Sequence, residues 1–180
     1  MVHEAFFGTF FYSDTRAYLI LLHESLDDAV VTFLNYGTGS ALDLSQGGKD
    51  NGTPVIGYQY HGGNNQRWKL EKVDQGTAWP TWIIRNVQAE TNLDLYNGGK
   101  DNGTKITGWG GATTNNTNAH QLWRLVTADD LGRVFMIQNV GTGTYVDLLN
   151  GNSANSTKIS GWAGNVESKN PHQLWRVLRY

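Results

Sequence analysis

Leu93-Asp94-Leu95, Gly108-Trp109 and His120-Gln121-Leu122-Trp123 lie in the middle third of the chain, and each has a counterpart on either side. The last phrase recurs as Asn65-Gln66-Arg67-Trp68 and His172-Gln173-Leu174-Trp175. The first recurs as Leu42-Asp43-Leu44 and Val146-Asp147-Leu148, the second as Gly57-Tyr58 and Gly161-Trp162. Asn35, Asn86 and Asn139 also align, ahead of the aspartates. Self-similarity at a period of about fifty residues marks one supersecondary unit used three times. A polar constellation repeats here, and not merely an apolar pattern, so three copies of one site are expected.

The repeats run over residues 31–81, 82–134 and 135–180. Each opens on a stretch rich in β-branched and aromatic residues, such as Val31-Thr32-Phe33-Leu34 or Trp82-Ile83-Ile84, which favours strand. A turn, the short apolar-Asp-apolar strand, a Gly/Asn-rich loop and a third strand ending in Gly-aromatic follow. A polar loop then leads into Gln-x-Trp. No window carries helical periodicity, so the unit reads as four short strands and the chain as all-β with twelve. Three units are too few for a propeller and leave a β-trefoil or a β-prism. Residues 1–30 fall outside the repeat, as an N-terminal extension expected to pack against the barrel or a partner chain; a homodimer is left open.

Composition narrows the function classes. The net charge is −2 with 14 basic residues, which gives no electrostatic footprint for nucleic acid. No stretch approaches the ~18 apolar residues of a membrane helix, so no membrane insertion is expected. There are no cysteines, which excludes disulfides, thiolate metal sites and a cysteine nucleophile. The His residues lack metal-binding spacing, and neither a metal nor any other cofactor is expected. Met1 to Leu22 lacks a basic head, and its apolar run is broken by Ser13-Asp14-Thr15-Arg16. It makes a poor leader, and a cytoplasmic or non-classically released protein is expected. Of four Asn-x-Ser/Thr sequons, those at Asn51, Asn102 and Asn155 sit in Asn-Gly-Thr or Asn-Ser-Thr and read as turns.

In a strand whose Leu93 and Leu95 point inward, Asp94 must point away from the core, and the same holds for Asp43 and Asp147. Such a carboxylate either caps the glycine-rich turn just downstream or accepts hydrogen bonds from a vicinal diol. Tyr58, Trp109 and Trp162 each follow a glycine, read as leaving open room beside the ring; the bland alternative is a buried ring.

The three Gln-x-Trp phrases resemble the ricin B-type family of β-trefoil lectins over residues 31–180. Asp94-Leu95-Tyr96-Asn97-Gly98-Gly99, Gly108-Trp109-Gly110-Gly111 and Asn170-Pro171-His172-Gln173-Leu174-Trp175 are similar to the lectin domain of Marasmius-type mushroom agglutinins and their polypore relatives. The resemblance implies a β-trefoil with pseudo-threefold symmetry and a galactose- or GalNAc-binding lectin, with an α-galactosyl preference. It implies a sugar site in each repeat: Asp43, Tyr58, Asn65 and Gln66; Asp94, Trp109, His120 and Gln121; Asp147, Trp162, His172 and Gln173. The aspartate would take sugar hydroxyls, and the aromatic would stack on the C–H face that an axial O4 leaves on galactose. The residue before Gln would reach the sugar or hold the Asp, and Gln would brace the loop or touch ligand. Asn118 and Asn170 are weaker candidates. Trp68, Trp123 and Trp175 are read as core. Repeat one has a shorter loop, Tyr58 for Trp and Asn65 for His, and is expected to be the weakest or most altered site, with Tyr60 or His61 replacing a lost contact.

Marasmius-type relatives carry a papain-like protease domain after the trefoil, a chemistry these cysteine-free residues cannot perform. A glycosidase needs two carboxylates across one cleft, whereas the aspartates here are distributed one per repeat. The remaining alternatives are a polysaccharide-binding module, whose members share Gln-x-Trp, and a β-trefoil protease inhibitor.

Overall fold

The β-branched openings and Gly/Asn turns of the three repeats resolve into twelve strands in a computed structural model, which describes residues 26–73, 80–129 and 131–180. Repeat one supplies β1 (Val30–Asn35), β2 (Ala41–Leu44), β3 (Thr53–Tyr58) and β4 (Trp68–Val73); repeat two supplies β5 (Thr81–Asn86), β6 (Asn92–Leu95), β7 (Thr104–Trp109) and β8 (Trp123–Thr127). Repeat three supplies β9 (Val134–Asn139), β10 (Tyr145–Leu148), β11 (Thr157–Trp162) and β12 (Trp175–Arg179). Six strands close a barrel through antiparallel pairs β1–β4, β4–β5, β5–β8, β8–β9, β9–β12 and β12–β1. The hairpins β2–β3, β6–β7 and β10–β11 cap it, joined in a triangle by β3–β7, β7–β11 and β11–β3. This is the β-trefoil, and closure removes the exposed edges of an open sheet.

Strand alternation places the apolar set on the inside of each hairpin and the polar set outside. Leu42, Leu44, Leu93, Leu95, Val146 and Leu148 are fully buried. Trp68, Trp123 and Trp175 are buried as well, as their reading as core requires, and each indole N–H donates to the carbonyl just before an aspartate: Leu42 (2.9 Å), Leu93 (2.9 Å) and Val146 (3.0 Å). A buried Trp is thereby satisfied and the strand bearing the carboxylate is tied to the barrel.

The glycines before the aromatic rings do not leave open space, contrary to the expectation above. Gly57, Gly108 and Gly161 lie on the core face opposite Leu42, Leu93 and Val146. Any Cβ there would overlap the Cδ1 of Leu148, Leu44 or Leu95 from the neighbouring repeat. The glycines admit core leucines across the threefold axis. Asn35, Asn86 and Asn139 join the repeats: their amides donate to the carbonyls of His172 (3.1 Å), Asn65 (2.9 Å) and His120 (3.0 Å). Each Oδ1 accepts two backbone N–H groups of its own turn.

Within the extension, Leu26 and Ala29 are buried in the same core, and Leu70 N–H donates to the Ala29 carbonyl. Residues 1–25, where the rest of the expectation for the extension falls, lie outside the described residues.

Candidate functional site

Each cap hairpin presents its aspartate and its aromatic on one outer face. Register pairs Asp43 with Ile56, Asp94 with Thr107 and Asp147 with Ser160; Tyr58, Trp109 and Trp162 stand two residues further along the same face. The three rings are half-exposed, unlike the core tryptophans. The Asp and aromatic members of all three predicted sets therefore do come together.

The carboxylate is held from behind. Gln66, Gln121 and Gln173 each donate Nε2 to the aspartate Oδ2, at 2.8, 3.1 and 3.0 Å. The same nitrogens donate to the carbonyls of Gln59 (2.9 Å), Gly110 (3.3 Å) and Ala163 (3.1 Å), the residues just after the rings. One amide thus ties carboxylate and ring loop together. The three glutamines are themselves 0%, 1% and 0% exposed, so bracing is the role their geometry serves. Among the described residues, Oδ1 of each aspartate makes no hydrogen bond within the chain, and it is the acceptor free for a ligand.

The brace dictates local sequence. A Cβ on Gly111 or Gly164 would overlap Gln121 or Gln173 Oε1, which is why a glycine stands two residues after Trp109 and Trp162. Gln121 Oε1 accepts from Asn92 (3.0 Å) and Asn116 (2.8 Å), and Gln66 Oε1 accepts from the backbone N–H groups of His61 (2.9 Å) and Gly62 (3.2 Å). Gln173 Oε1 is buried without a partner among the described residues.

His120 and His172 are half-exposed and lie over Gly98 and Gly151, where a Cβ would overlap the imidazole. Those glycines also have φ of +59°, so two independent constraints require glycine. Each histidine carbonyl accepts the N–H of the residue after the aspartate, Leu95 or Leu148, at 3.0 Å. Asn118 and Asn170 accept the His120 and His172 backbone N–H at 3.0 and 3.1 Å, which makes them turn braces.

Repeat one differs as its sequence suggested. Asn65 turns its amide onto Asp43 Oδ2 at 2.9 Å, and His61 Nε2 comes within 3.6 Å of the same oxygen. Tyr60 instead meets the Tyr180 hydroxyl at 2.9 Å, so of the two proposed substitutes it is His61 that reaches the carboxylate. A cavity of about 410 Å³ opens over this set, lined by residues including Ile56, Tyr58, His61 and Ser156. A larger cleft of about 650 Å³, between Tyr36, Val134 and Arg176, is lined by none of the repeated aspartates, Gly-linked rings, histidines or glutamines.

Burial pushes Asp43, Asp94 and Asp147 above the usual aspartate value; the glutamine hydrogen bonds and the nearby His61, His120 and His172 pull them partly back. The residues that sequence reasoning missed lie opposite the aspartates. Thr107 and Ser160 hydroxyls are buried there without a partner among the described residues, with Ile56 in their place in repeat one. Their period-two spacing from Trp109 and Trp162 was the available signal.

Comparisons with known proteins bear on the family and the fold. A family model described as a ricin-type β-trefoil lectin domain-like family matches residues 18–109 and 119–179. No curated protein matches the chain. Among solved structures, the designed threefold-symmetric protein ThreeFoil superposes with a TM-score of 0.71 at 22% identity, covering 83% of this chain and 97% of its own. The Rhizoctonia solani agglutinin superposes at 0.70 and 26% identity, covering 86% and 97%. The Macrolepiota procera ricin B-like lectin, solved in complex with lactose, gives 0.66 at 24% identity, covering 86% and 97%.

Proposed function

The chain belongs to the ricin-type β-trefoil lectin domain-like family, and from that premise we propose that it is a non-enzymatic lectin for terminal galactose or N-acetylgalactosamine. The preference is for α-galactosyl glycans, in line with its Marasmius-like phrases. One observation carries the reading: in all three repeats a half-exposed ring and a carboxylate with one uncommitted oxygen share a hairpin face. That pairing suits a ligand with a C–H face for the ring and adjacent hydroxyls for the carboxylate. Galactose offers both, and the Macrolepiota procera lectin was solved with lactose, a galactoside.

Magnitudes favour multivalency. Net hydrogen bonds are worth about 0.5–1.5 kcal/mol each, and a free monosaccharide in an open site reaches a Kd of about 1 mM, or roughly −4.1 kcal/mol. Three linked sites on a glycan-bearing surface raise avidity by about 10²–10⁴ without new contacts.

The test is a glycan array followed by calorimetry on wild type and an Asp94→Ala/Asp147→Ala double variant. Galactoside binding that falls to one residual site in the double variant supports the proposal. Binding confined to xylan or other plant polymers replaces it with a polysaccharide-binding module. No glycan signal at all overturns it and directs attention to protease inhibition.

A further inference from the structure

The three Asn-Gly/Ser-Thr turns do more than reverse the chain. Asn51 Oδ1 accepts the N–H of Gly110, Asn102 Oδ1 that of Ala163, and Asn155 Oδ1 that of Gln59, each at 2.7 Å. The acceptor lies in one repeat and the donor in the next around the ring. In every case the donor is the residue directly after the candidate stacking ring. On the other side of the ring, Gly52 N–H donates to the Gly108 carbonyl (2.9 Å) and Gly103 N–H to the Gly161 carbonyl (3.0 Å). Trp109 and Trp162 are therefore stapled before and after by the preceding repeat.

The turn also forms a wall of the site. A Cβ built on Gly52 or Gly103 would stand 3.7 Å from Cζ3 of Trp109 or Trp162. The third turn has a real side chain at that position: Ser156, which lines the cavity over Asp43, Tyr58 and His61. Gly52, Gly103 and Ser156 all have positive φ, +89°, +87° and +67°, a conformation that glycine takes freely and serine only at a cost. The turn itself is closed the same way in all three repeats, by Thr53, Thr104 and Thr157 N–H groups on Asp50, Asp101 and Ala154 carbonyls. Serine is therefore not required for the turn, and its position on the cavity gives it another use.

We infer that each glycan site is completed by the preceding repeat. Asn51, Asn102 and Asn155 are positioning residues for the ring of the next repeat, and Ser156 sets the specificity of the repeat-one site. Its hydroxyl supplies a neutral hydrogen-bonding group beside Tyr58, where Gly52 offers repeat two no side chain and repeat three has Gly103 with the Lys158 ammonium on its carbonyl (2.8 Å), so repeat one takes a sugar with a polar substituent at that edge. The inference rests on the carbohydrate-binding reading above.

The experiment uses the full chain with one live site at a time. Asp94→Ala/Asp147→Ala leaves repeat one, and Asp43→Ala/Asp94→Ala leaves repeat three. Asn155→Ala, Asn155→Asp and Ser156→Gly are placed in each background, and galactose and N-acetylgalactosamine are titrated by calorimetry. Amide hydrogen exchange at Gln59 is followed in parallel. Asn155→Ala is expected to weaken repeat one about tenfold, the weight of one hydrogen bond, and to leave repeat three unchanged although Asn155 belongs to it. Exchange at Gln59 rises, and Asn155→Asp, which keeps the acceptor, restores both. Ser156→Gly leaves Gln59 protected but narrows the difference between the two sugars at repeat one. Loss at repeat three, or no change at repeat one, overturns the inference. A wild type that binds neither sugar while Gln59 exchange responds as expected sinks the carbohydrate reading and leaves only the ring-wise staple.

Discussion

Truncating the glutamine braces should have unequal costs that can be read from the structure. In Gln121→Ala and Gln173→Ala the same two donor bonds vanish, to Asp94 or Asp147 and to the following loop carbonyl. The carbonyl ends differ. Gln121 Oε1 receives one hydrogen each from Asn92 and Asn116, whose other amide hydrogens go to the Ala112 carbonyl at 2.8 Å. Gln121→Ala strands both hydrogens in a buried place. Gln173 Oε1 has no partner among the described residues to strand. At about 1 kcal/mol per lost bond, Gln121→Ala costs about 4 kcal/mol and Gln173→Ala about 2. Removing an unpaired buried carbonyl widens that gap. In a domain of this size the difference corresponds to a Tm separation of about 4–8 °C. Urea unfolding followed by tryptophan fluorescence, checked by calorimetry for two-state behaviour, measures it. Equal costs, or a larger loss for Gln173→Ala, would refute the reasoning.

Other consequences can be tested with the same preparations. Burial raises the folded-state pKa of Asp43, Asp94 and Asp147 above the ordinary aspartate value of 3.8, so as pH falls the folded chain takes up protons before the unfolded chain does. Their contribution to stability is full below 3.8 and is lost as pH rises through the raised values, whereas glycan affinity, which needs the ionised form, falls as pH drops through them. Calorimetric titrations stepped from about pH 7 to about pH 4 should show affinity lost above the range of an exposed aspartate; a midpoint at the ordinary value contradicts this. Gly111→Ala and Gly164→Ala force a methyl into the brace glutamine and should abolish binding in repeats two and three respectively; retained affinity at the mutated repeat would count against the brace. Asn139→Ala removes donors to the Ala119 and His120 carbonyls and the acceptor for Gly141 and Thr142. It should cost about 2–3 kcal/mol in denaturant unfolding, and a loss under 1 kcal/mol would show that those groups find water instead.

The fold was legible because its determinants are local. Period-two alternation around Asp94 and β-branched openings such as Trp82-Ile83-Ile84 place strands without reference to anything distant. Asp and ring fall on one face because both are set by hairpin register. What remained hidden was relational. Sequence repeats show what recurs inside a unit but not which units touch across the axis. Gly108 was accordingly misread as open room when it admits Leu44 of the preceding repeat, and Asn102 was read only as a turn residue when it also holds the loop after Trp162. Whether Gln121 braces or binds was undecidable for the same reason, since only its burial separates the two roles. His61 escaped a firm assignment because the shortened loop of repeat one breaks the alignment that identified His120 and His172.

These relations also explain how three sites can diverge on one frame. The brace glutamine, the aspartate and the glycine two after Trp109 or Trp162 interlock, so changing any of them costs stability as well as binding. The rim escapes that coupling. Ser45, Tyr96 and Leu149 occupy one equivalent position after the aspartate strands, and none of them takes part in the brace. Tyr96 places a second ring 6.1 Å from Trp109 at 62°, giving repeat two an aromatic corner. Repeat one collects Ser45, His61 and Ser156 around Asp43, a polar rim on the same floor. Fold stability thus holds the carboxylate geometry common to all three repeats, while selection on ligand can act on the rim at little structural cost, which is the condition under which a triplicated chain acquires sites of different preference.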